Sequence, residues 1–336
     1  MAKDNTLTDK TILVTGGTGS FGKAFTKELL KNCKPKAVRI FSRDELKQWE
    51  MEKELKDHPN FDVLRFFIGD VRDKDRLFRA MEEVDVVVHT AALKQVPTLE
   101  YNPFEAVKTN ILGTQNVIEC AIDTKVKKAI FISSDKAVNP INLYGATKLV
   151  AEKLFIQGNS YAGGRSTRFS VVRYGNVVAS RGSVIPLFIE QAKNNIITVT
   201  DERMTRFWIT LEQGVKFVID CIEKMVGGEI FVPKIQSMKI IDLARTIAPQ
   251  AKIKITGIRP GEKLHEVLIH RDETRHTKDL GSYFMIETGF VSWKRRKLTG
   301  GKKILKDGFY YSSENNSQWI TVEELRKIVK ELTESE

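Results

Sequence analysis

The chain is punctuated by short, mostly apolar runs, each followed by a turn and then by a stretch with helical spacing. Thr11–Thr15, Ala37–Phe41, Phe66–Val71, Asp85–Ala92, Ala129–Ile132 and Phe169–Tyr174 are such runs. Near-continuous apolar character is what a parallel strand covered on both faces requires, whereas a half-exposed strand alternates. Between the runs, Lys23–Lys31 places Phe25, Leu29 and Leu30 on one side. A helix over Ile111–Asp123, begun by Asn110, and another over Leu149–Phe155 repeat the spacing. Strand and helix alternate, which predicts an α/β fold built on a doubly wound parallel sheet. Past Tyr174 the texture changes, and arginines sit among turn residues in Ser180–Pro186, Thr200–Trp208 and Ile258–Lys263. Leu211–Met225 and Ile230–Pro233 then read as a helix and a strand returning to the sheet. The expected organisation is a nucleotide-binding unit over 1–175, with 207–235 returning to it. A smaller, discontinuous C-terminal unit over 176–206 and 236–336 would bind substrate. Residues 270–307 are basic and weakly patterned, and the pattern does not place them.

Composition narrows the class. At 336 residues, 41% hydrophobic and 29% charged, the chain suits one large α/β unit or two closely packed ones. A formal net charge of +11 fits a pocket for anionic phosphates. Nucleic acid would want clustered basic residues, and apart from Lys294–Lys297 and Lys302-Lys303 they are spread along the chain. Cys33, Cys120 and Cys221 are odd in number and far apart, so no disulfide framework can be drawn and a reducing cytoplasm is expected. His265 and His270 miss the i, i+4 spacing that puts two ligands on one helix face, so no metal is expected. Met1–Lys10 lacks an apolar signal core and no run approaches a membrane span, so no membrane partner is expected.

Candidate chemistry begins at the turn after the first strand. Gly16, Gly19 and Gly22 stand between strand and helix, where they permit a tight turn and let a pyrophosphate approach free N–H groups at the helix start. That context makes the sheet Rossmann-like. The second strand ends in Ser42-Arg43-Asp44, where an acid would hold a ribose 2′-hydroxyl and an arginine a 2′-phosphate. Arg43 comes first and Lys47 follows, which favours NADP over NAD. Asp70, after the third strand, suits an adenine amino group, and Lys94 follows the fourth where phosphates would lie.

The stretch Ser133–Lys148 crowds hydroxyl, acid, amine and phenol into one turn and the start of a helix, with Asn142 as a plausible N-cap. Tyr144 and Lys148 are four apart and share a helix face. An ammonium one turn away, and a nicotinamide cation nearby, would favour phenolate, and Tyr144 would then take a substrate hydroxyl proton as hydride leaves for the cofactor. Asp135-Lys136 asks for more than a hydride step. Oxidising a sugar C4 to a ketone acidifies the C5 proton; Lys136 would remove it while Asp135 protonates the departing C6 hydroxyl. Hydride then returns to C6 and a proton to C5, a 4,6-dehydration that restores the cofactor. A core tyrosine and a solvent-facing ion pair are the plain alternatives for these residues.

Taken together, Thr15-Gly16-x-x-Gly19-x-x-Gly22, Asp70-Val71, Ala91-Ala92 and Tyr144-x-x-x-Lys148 resemble the extended short-chain dehydrogenase/reductase family. More closely, Ser42–Gln48, Asp135-Lys136, Asn139–Lys148, Val172–Val177, Arg203–Trp208 and Gly257–Glu266 are similar to the inverting UDP-N-acetylglucosamine 4,6-dehydratases, which begin the route to pseudaminic acid on flagellins and other surface glycans. The likeness runs from about Thr11 to Leu268 and resumes over Tyr311–Trp319. It implies NADP as cofactor, UDP-N-acetylglucosamine as substrate, and a homo-oligomer, dimer or hexamer. It implies Asp135 as acid, Lys136 as base, Tyr144 as the hydride-step base and Ser134 as the active-site hydroxyl. Gly16, Thr18, Gly19, Ser20, Phe21, Gly22, Arg43, Asp44, Lys47, Asp70, Val71, Thr90, Lys94, Tyr144, Lys148 and Val177 would hold the cofactor. Lys94, Asn176, Arg181, Gly182, Ser183, Val184, Ile185, Pro186, Arg206, Arg259, Tyr311, Ser312, Ser313 and Glu314 would hold the UDP-sugar. Thr90 stands for the usual alanine, Ser134 for a commoner threonine, and 270–307 diverges. A C5-retaining dehydratase, a UDP-N-acetylhexosamine 4-epimerase and a non-catalytic NADP-binding sensor are the other readings. Epimerisation needs no acid–amine pair, and a sensor needs no intact tyrosine and lysine.

Overall fold

The apolar runs become parallel strands: β1 (Thr11–Thr15), β2 (Ala37–Ser42), β3 (Leu64–Ile68), β4 (Val86–His89), β5 (Lys128–Ser134) and β6 (Arg168–Tyr174). The computed structural model describes residues 6–178, 184–291, 293, 302–304 and 308–333. Arg181, Gly182 and Ser183 of the expected substrate loop, and the basic run 294–297, lie outside the described residues. After β6, the strands β7 (Asn176–Val177), β8 (Ile196–Val199) and β9 (Thr205–Ile209) leave the sheet, and β10 (Glu229–Pro233) returns parallel to β6. β11 (Gln236–Lys239) pairs with β9, β12 (Lys252–Ile255) with β8, and β13 (Val267–Ile269) with a late strand over Tyr311–Ser312. The segment the pattern left unplaced supplies β14 (Thr277–Asp279), β15 (Tyr283–Glu287) and β16 (Lys302–Ile304). Among the described residues, these extend the sheet antiparallel, in the order β16-β14-β15-β10-β6-β5-β4-β1-β2-β3.

The chain winds outward from β1 to β3, then crosses back to β4 beside β1. That reversal opens a crevice beyond the carboxyl ends of β1 and β4, where doubly wound sheets bind their ligands. All five residues of β1 and all four of β4 are buried, as strands covered on both faces must be. A second, smaller hydrophobic core forms around Ile185, Phe188, Met204, Trp208, Met238 and Leu243, outside the sheet.

Several elements depart from the pattern. The helix after the glycine turn begins at Ser20 rather than Lys23. β3 stops at Ile68 and β4 at His89; one last backbone bond follows each, Gly69 N–H to Ser42 O and Thr90 N–H to Thr15 O, and Thr90 Oγ1 also donates to Thr15 O. Asn110 does not begin a helix. The helical path starts at Pro103, widens to π geometry over Val107–Leu112, and runs on through Gly113–Asp123, with Asn110 inside the wide turn. No helix among the described residues is long and apolar enough to cross a membrane.

Candidate active site

The first wall of the crevice is the glycine turn. Gly16 has φ +66°, and a Cβ there would come within 2.8 Å of Thr90 Oγ1 and 2.9 Å of Ala91 Cα. Only glycine combines that backbone with that approach. The Ser20–Asn32 helix that follows has neither a side-chain N-cap nor an acidic residue in its first turn. Its first N–H groups and dipole are therefore left to an anion, which fits a dinucleotide pyrophosphate. Thr18 does not face outward: its hydroxyl meets Ser42 Oγ at 2.8 Å and ties the turn to β2. Phe21 stacks on Phe25, while Ser20 is exposed.

At the end of β2, Asp44 caps the Glu45–Leu55 helix by accepting from Lys47 N–H at 3.1 Å, and its other oxygen pairs with Lys47 Nζ. The Arg43 side chain is 56% exposed and lies 3.8 Å from Asp70. Burial alone would raise the Asp70 carboxyl, but hydrogen bonds from Arg72, and the charges of Arg72 and Arg43, bring it below its ordinary range. Val71 is buried against Gly113, and Lys94 is exposed.

A hydrogen-bonded chain joins this crevice to the helix Leu143–Tyr161. Asn110 accepts from Leu93 N–H at 2.8 Å and donates to Leu93 O at 2.9 Å and Thr147 Oγ1 at 3.0 Å. Behind it, buried His89 meets Thr15 Oγ1 at 2.7 Å through Nδ1 and Thr114 Oγ1 at 3.0 Å through Nε2. Thr114 Oγ1 already donates its hydrogen to Asn110 O, so it must accept from His89. The imidazole is the neutral Nε2–H tautomer; burial, then the Lys148 charge, pushes its pKa down to about 3.

Asn142 caps the Leu143–Tyr161 helix by accepting from Gly145 N–H at 2.8 Å, as its position predicts. A Cβ on Gly145 would stand 2.2 Å from Lys136 O, so glycine lets this helix start press against the Asp135-Lys136 turn. Burial holds the Tyr144 phenol above its ordinary range, against the neighbouring Ser134 hydroxyl and the Lys136 charge, which both pull it down. The expected phenolate from Lys148 therefore does not follow from this arrangement. Lys148 Nζ instead donates to Ile132 O at 2.6 Å over the Phe131 ring, and burial pushes its pKa down to about 7.

Buried Asp135 and half-buried Lys136 form an ion pair at 3.0 Å. Lys136 Nζ also reaches Glu266 Oε1 at 2.9 Å and Asn176 Oδ1 at 3.3 Å. Arg206 Nε lies 3.7 Å and Lys263 Nζ 3.8 Å from the same Glu266 carboxylate. Burial pushes Asp135 above its ordinary range; it would lower Lys136 as well, but the Asp135 and Glu266 charges outweigh it and hold the ammonium above its ordinary range. Lys263 also donates to Val138 O, and Asn142 Nδ2 donates to Gly261 O at 2.8 Å, so the 259–266 loop is fastened to the turn it faces.

The remaining expected residues are scattered by role. Val177 is half-buried on β7, beside Asn176. Val184 is half-buried, Pro186 exposed, and Ile185 packs into the second core. Arg259 is exposed. Tyr311 spends its hydroxyl on Ile235, donating to the carbonyl at 2.9 Å and accepting from the N–H at 3.0 Å. Ser312 bonds Asn315, and Glu314 pairs with His265 at 3.3 Å. Ser313 Oγ accepts from Glu266 N–H at 2.9 Å and so braces the charged cluster from behind. Glu266, Lys263, Asn110 and His89 were missed as site residues. The signal for His89 was a polar residue inside an apolar strand. Glu266 and Lys263 lie inside the Gly257–Glu266 motif, and nothing local in the sequence marks either as buried beside Lys136.

Residues 12–288 match the family described as "Polysaccharide biosynthesis protein". The chain is 54% identical over 330 residues to the inverting UDP-N-acetylglucosamine 4,6-dehydratase of Campylobacter jejuni, covering 95% of this chain and 97% of that one. It is 44% identical to a UDP-glucose 4-epimerase of Rickettsia bellii, covering 96% of each. The crystal structure of Pen from Bacillus thuringiensis superposes with a TM-score of 0.88 at 42% identity, over 98% of this chain and 99% of that one. A match of this extent, on a glycine crevice and a Tyr-Lys helix so arranged, makes the chain a member of that polysaccharide-biosynthesis family within the extended short-chain dehydrogenases/reductases.

Proposed function

We propose that the protein is an inverting UDP-N-acetylglucosamine 4,6-dehydratase that uses NADP. One observation carries the reading: an acid–amine pair, buried Asp135 and half-buried Lys136, stands beside Ser134 and Tyr144, in a chain 54% identical to a relative of that name. The bound dinucleotide supplies hydride acceptance and return. Beside a nicotinamide cation Tyr144 would lose its phenol proton more readily, and the phenolate would then take the C4 hydroxyl proton, with Ser134 beside it. Lys136 removes the acidified C5 proton, and Asp135 gives a proton to the C6 hydroxyl, which leaves as water. A carboxyl raised by burial is suited to donate that proton at neutral pH. Asn176 and Arg206 approach the same cluster and would meet the UDP-sugar there. The reaction would open a route to pseudaminic acid or a related surface-glycan sugar.

For the cofactor, Asp44 is spent on capping its helix and on Lys47, while the Arg43 guanidinium is exposed. That supports a 2′-phosphate over a free ribose diol. NADP should bind more tightly than NAD, and Arg43→Ala should remove the difference; equal affinities in the native protein would refute the assignment.

The Rickettsia relative motivates a second reading, 4-epimerisation. Incubation with UDP-N-acetylglucosamine in deuterated water separates the two. The expected product is a 4-keto-6-deoxy sugar with deuterium at C5, inverted by its proton couplings. UDP-N-acetylgalactosamine alone would sink dehydration. Lys136→Ala should abolish C5 exchange and keep cofactor binding.

A further inference from the structure

Two buried carboxylates face one lysine here, and they are not equivalent. Lys136 Nζ has three acceptors around it, Asp135 Oδ1 at 3.0 Å, Glu266 Oε1 at 2.9 Å and Asn176 Oδ1 at 3.3 Å. An ammonium that donates all three hydrogens has no lone pair and is not a base. One proton must leave it before C5 chemistry, and only a carboxylate can take that proton; the Asn176 carbonyl cannot. Asp135 has Lys136 as its ion-pair partner, and although Asp135 Oδ2 and Glu266 Oε2 are both buried without a protein hydrogen bond, the charges around the two carboxylates differ. Glu266 has Lys136, Arg206 and Lys263 all within 4 Å, from the Asp135-Lys136 turn, β9 and the 259–266 loop respectively. Tyr144 stands beside the pair, and Glu262 lies 3.5 Å from Arg206 Nη2, on the far side of that guanidinium from Lys136.

We propose that Glu266 is a positioning residue for Lys136: it stays ionised while the Lys136 proton passes to Asp135, so that one transfer arms both the base and the acid. The step balances. The ammonium loses one proton, the Asp135 carboxylate gains it, and the cluster keeps its total. Glu266 and Asn176 retain the other two N–H hydrogens, so the lone pair opens on the side Asp135 faced. Environments that push two neighbouring acids apart are what assign acid and base roles. The directions agree. Asp135 is raised by burial; Glu266, which burial would also raise, is carried below its ordinary range by Lys136, Arg206 and Lys263.

This inference rests on the dehydratase reading, and its test separates the two. Carboxyl 13C NMR of the wild-type protein, with Asp135→Asn and Glu266→Gln as assignment controls, reads ionisation without any turnover. Asp135 should protonate at higher pH than Glu266; the reverse order would overturn the proposal, whereas an absence of C5 exchange in the wild type would overturn dehydration alone. In the Glu266→Gln enzyme both groups lose a neighbouring negative charge. The bell-shaped pH profile of C5 exchange should therefore move to lower pH on both limbs, by about one unit or more. Glu266→Asp, which keeps the charge, should keep the profile at a reduced rate. A Glu266→Gln profile with unmoved limbs would mean a merely structural role.

Discussion

His89 shows how one residue can serve the site without touching a ligand. Its ring packs beside the Phe131 and Phe155 rings, which also touch each other, and is held at both nitrogens, so it cannot take a second proton without breaking a hydrogen bond. Its pKa is lowered from 6.5 to about 3 in the folded chain, while the unfolded chain binds the proton near 6.5. The unfolded state therefore holds more protons between those values, and stability is lost as pH falls through that window. From pH ~6.5 to ~5 this one group should withdraw about 2 kcal/mol, read as a falling denaturant midpoint. His89→Gln should be less stable at neutral pH yet lose less on acidification. Equal slopes for the two proteins would refute the account. The same network runs through Asn110 to Leu93 and Thr147, so damage at His89 should also reach the helix of Tyr144.

At the scale of elements, the catalytic helix is anchored by buried charge. Arg173 on β6 grips Glu152, one turn past Lys148, through two hydrogen bonds at 3.1 and 2.6 Å. The same guanidinium holds Glu273 at 2.9 and 3.1 Å and donates to Leu268 O at 2.9 Å. One planar fork thus joins β6, the Leu143–Tyr161 helix, β13 and the Arg271–His276 turn that leads into β14. Arg173→Met would leave Glu152 buried and unpaired, and should cost about 3–5 kcal/mol in equilibrium unfolding. Adding Glu152→Leu should return part of the loss, because a well-packed apolar pair avoids the desolvation penalty. A single-variant loss below about 1 kcal/mol would show that the fork is not an anchor. None of this was readable beforehand. Glu152 and Arg173 sit in segments whose spacing correctly gave a helix and a strand, but pairing across distant elements leaves no local periodicity. The π turn around Asn110 escaped for a related reason: its cause is the side chain's bonds to Leu93 and Thr147, not the apolar spacing of its own segment.

For the molecule as a whole, the doubly wound sheet was legible because its central parallel strands β1 and β4 are continuous buried runs, and the glycine turn announced its crevice. The antiparallel extension by β14, β15 and β16 was not: β14 and β16 have three residues each, and the apolar run Tyr283–Ile286 of β15 stands alone in a basic segment without a repeating pattern. Charge belongs to this scale too. The net charge is +11, although within the cluster itself Lys136, Lys263 and Arg206 are matched by Asp135, Glu266 and Glu262, whose Oε1 lies 3.5 Å from Arg206 Nη2. Both proposed ligands, a dinucleotide and a UDP-sugar, carry pyrophosphates, so a positive field should speed their encounter with the crevice. That field acts through solvent, where the Debye length shrinks from roughly 10 Å at ~0.1 M salt to roughly 3 Å at ~1 M. The buried contacts within the cluster are screened far less. Raising sodium chloride from about 50 mM to about 500 mM should therefore lower kcat/KM for the UDP-sugar several-fold while kcat holds. A parallel fall in both constants would instead place the salt effect on the buried Asp135–Lys136–Glu266 cluster. An unchanged kcat/KM would mean that the surplus positive charge has no part in gathering substrate.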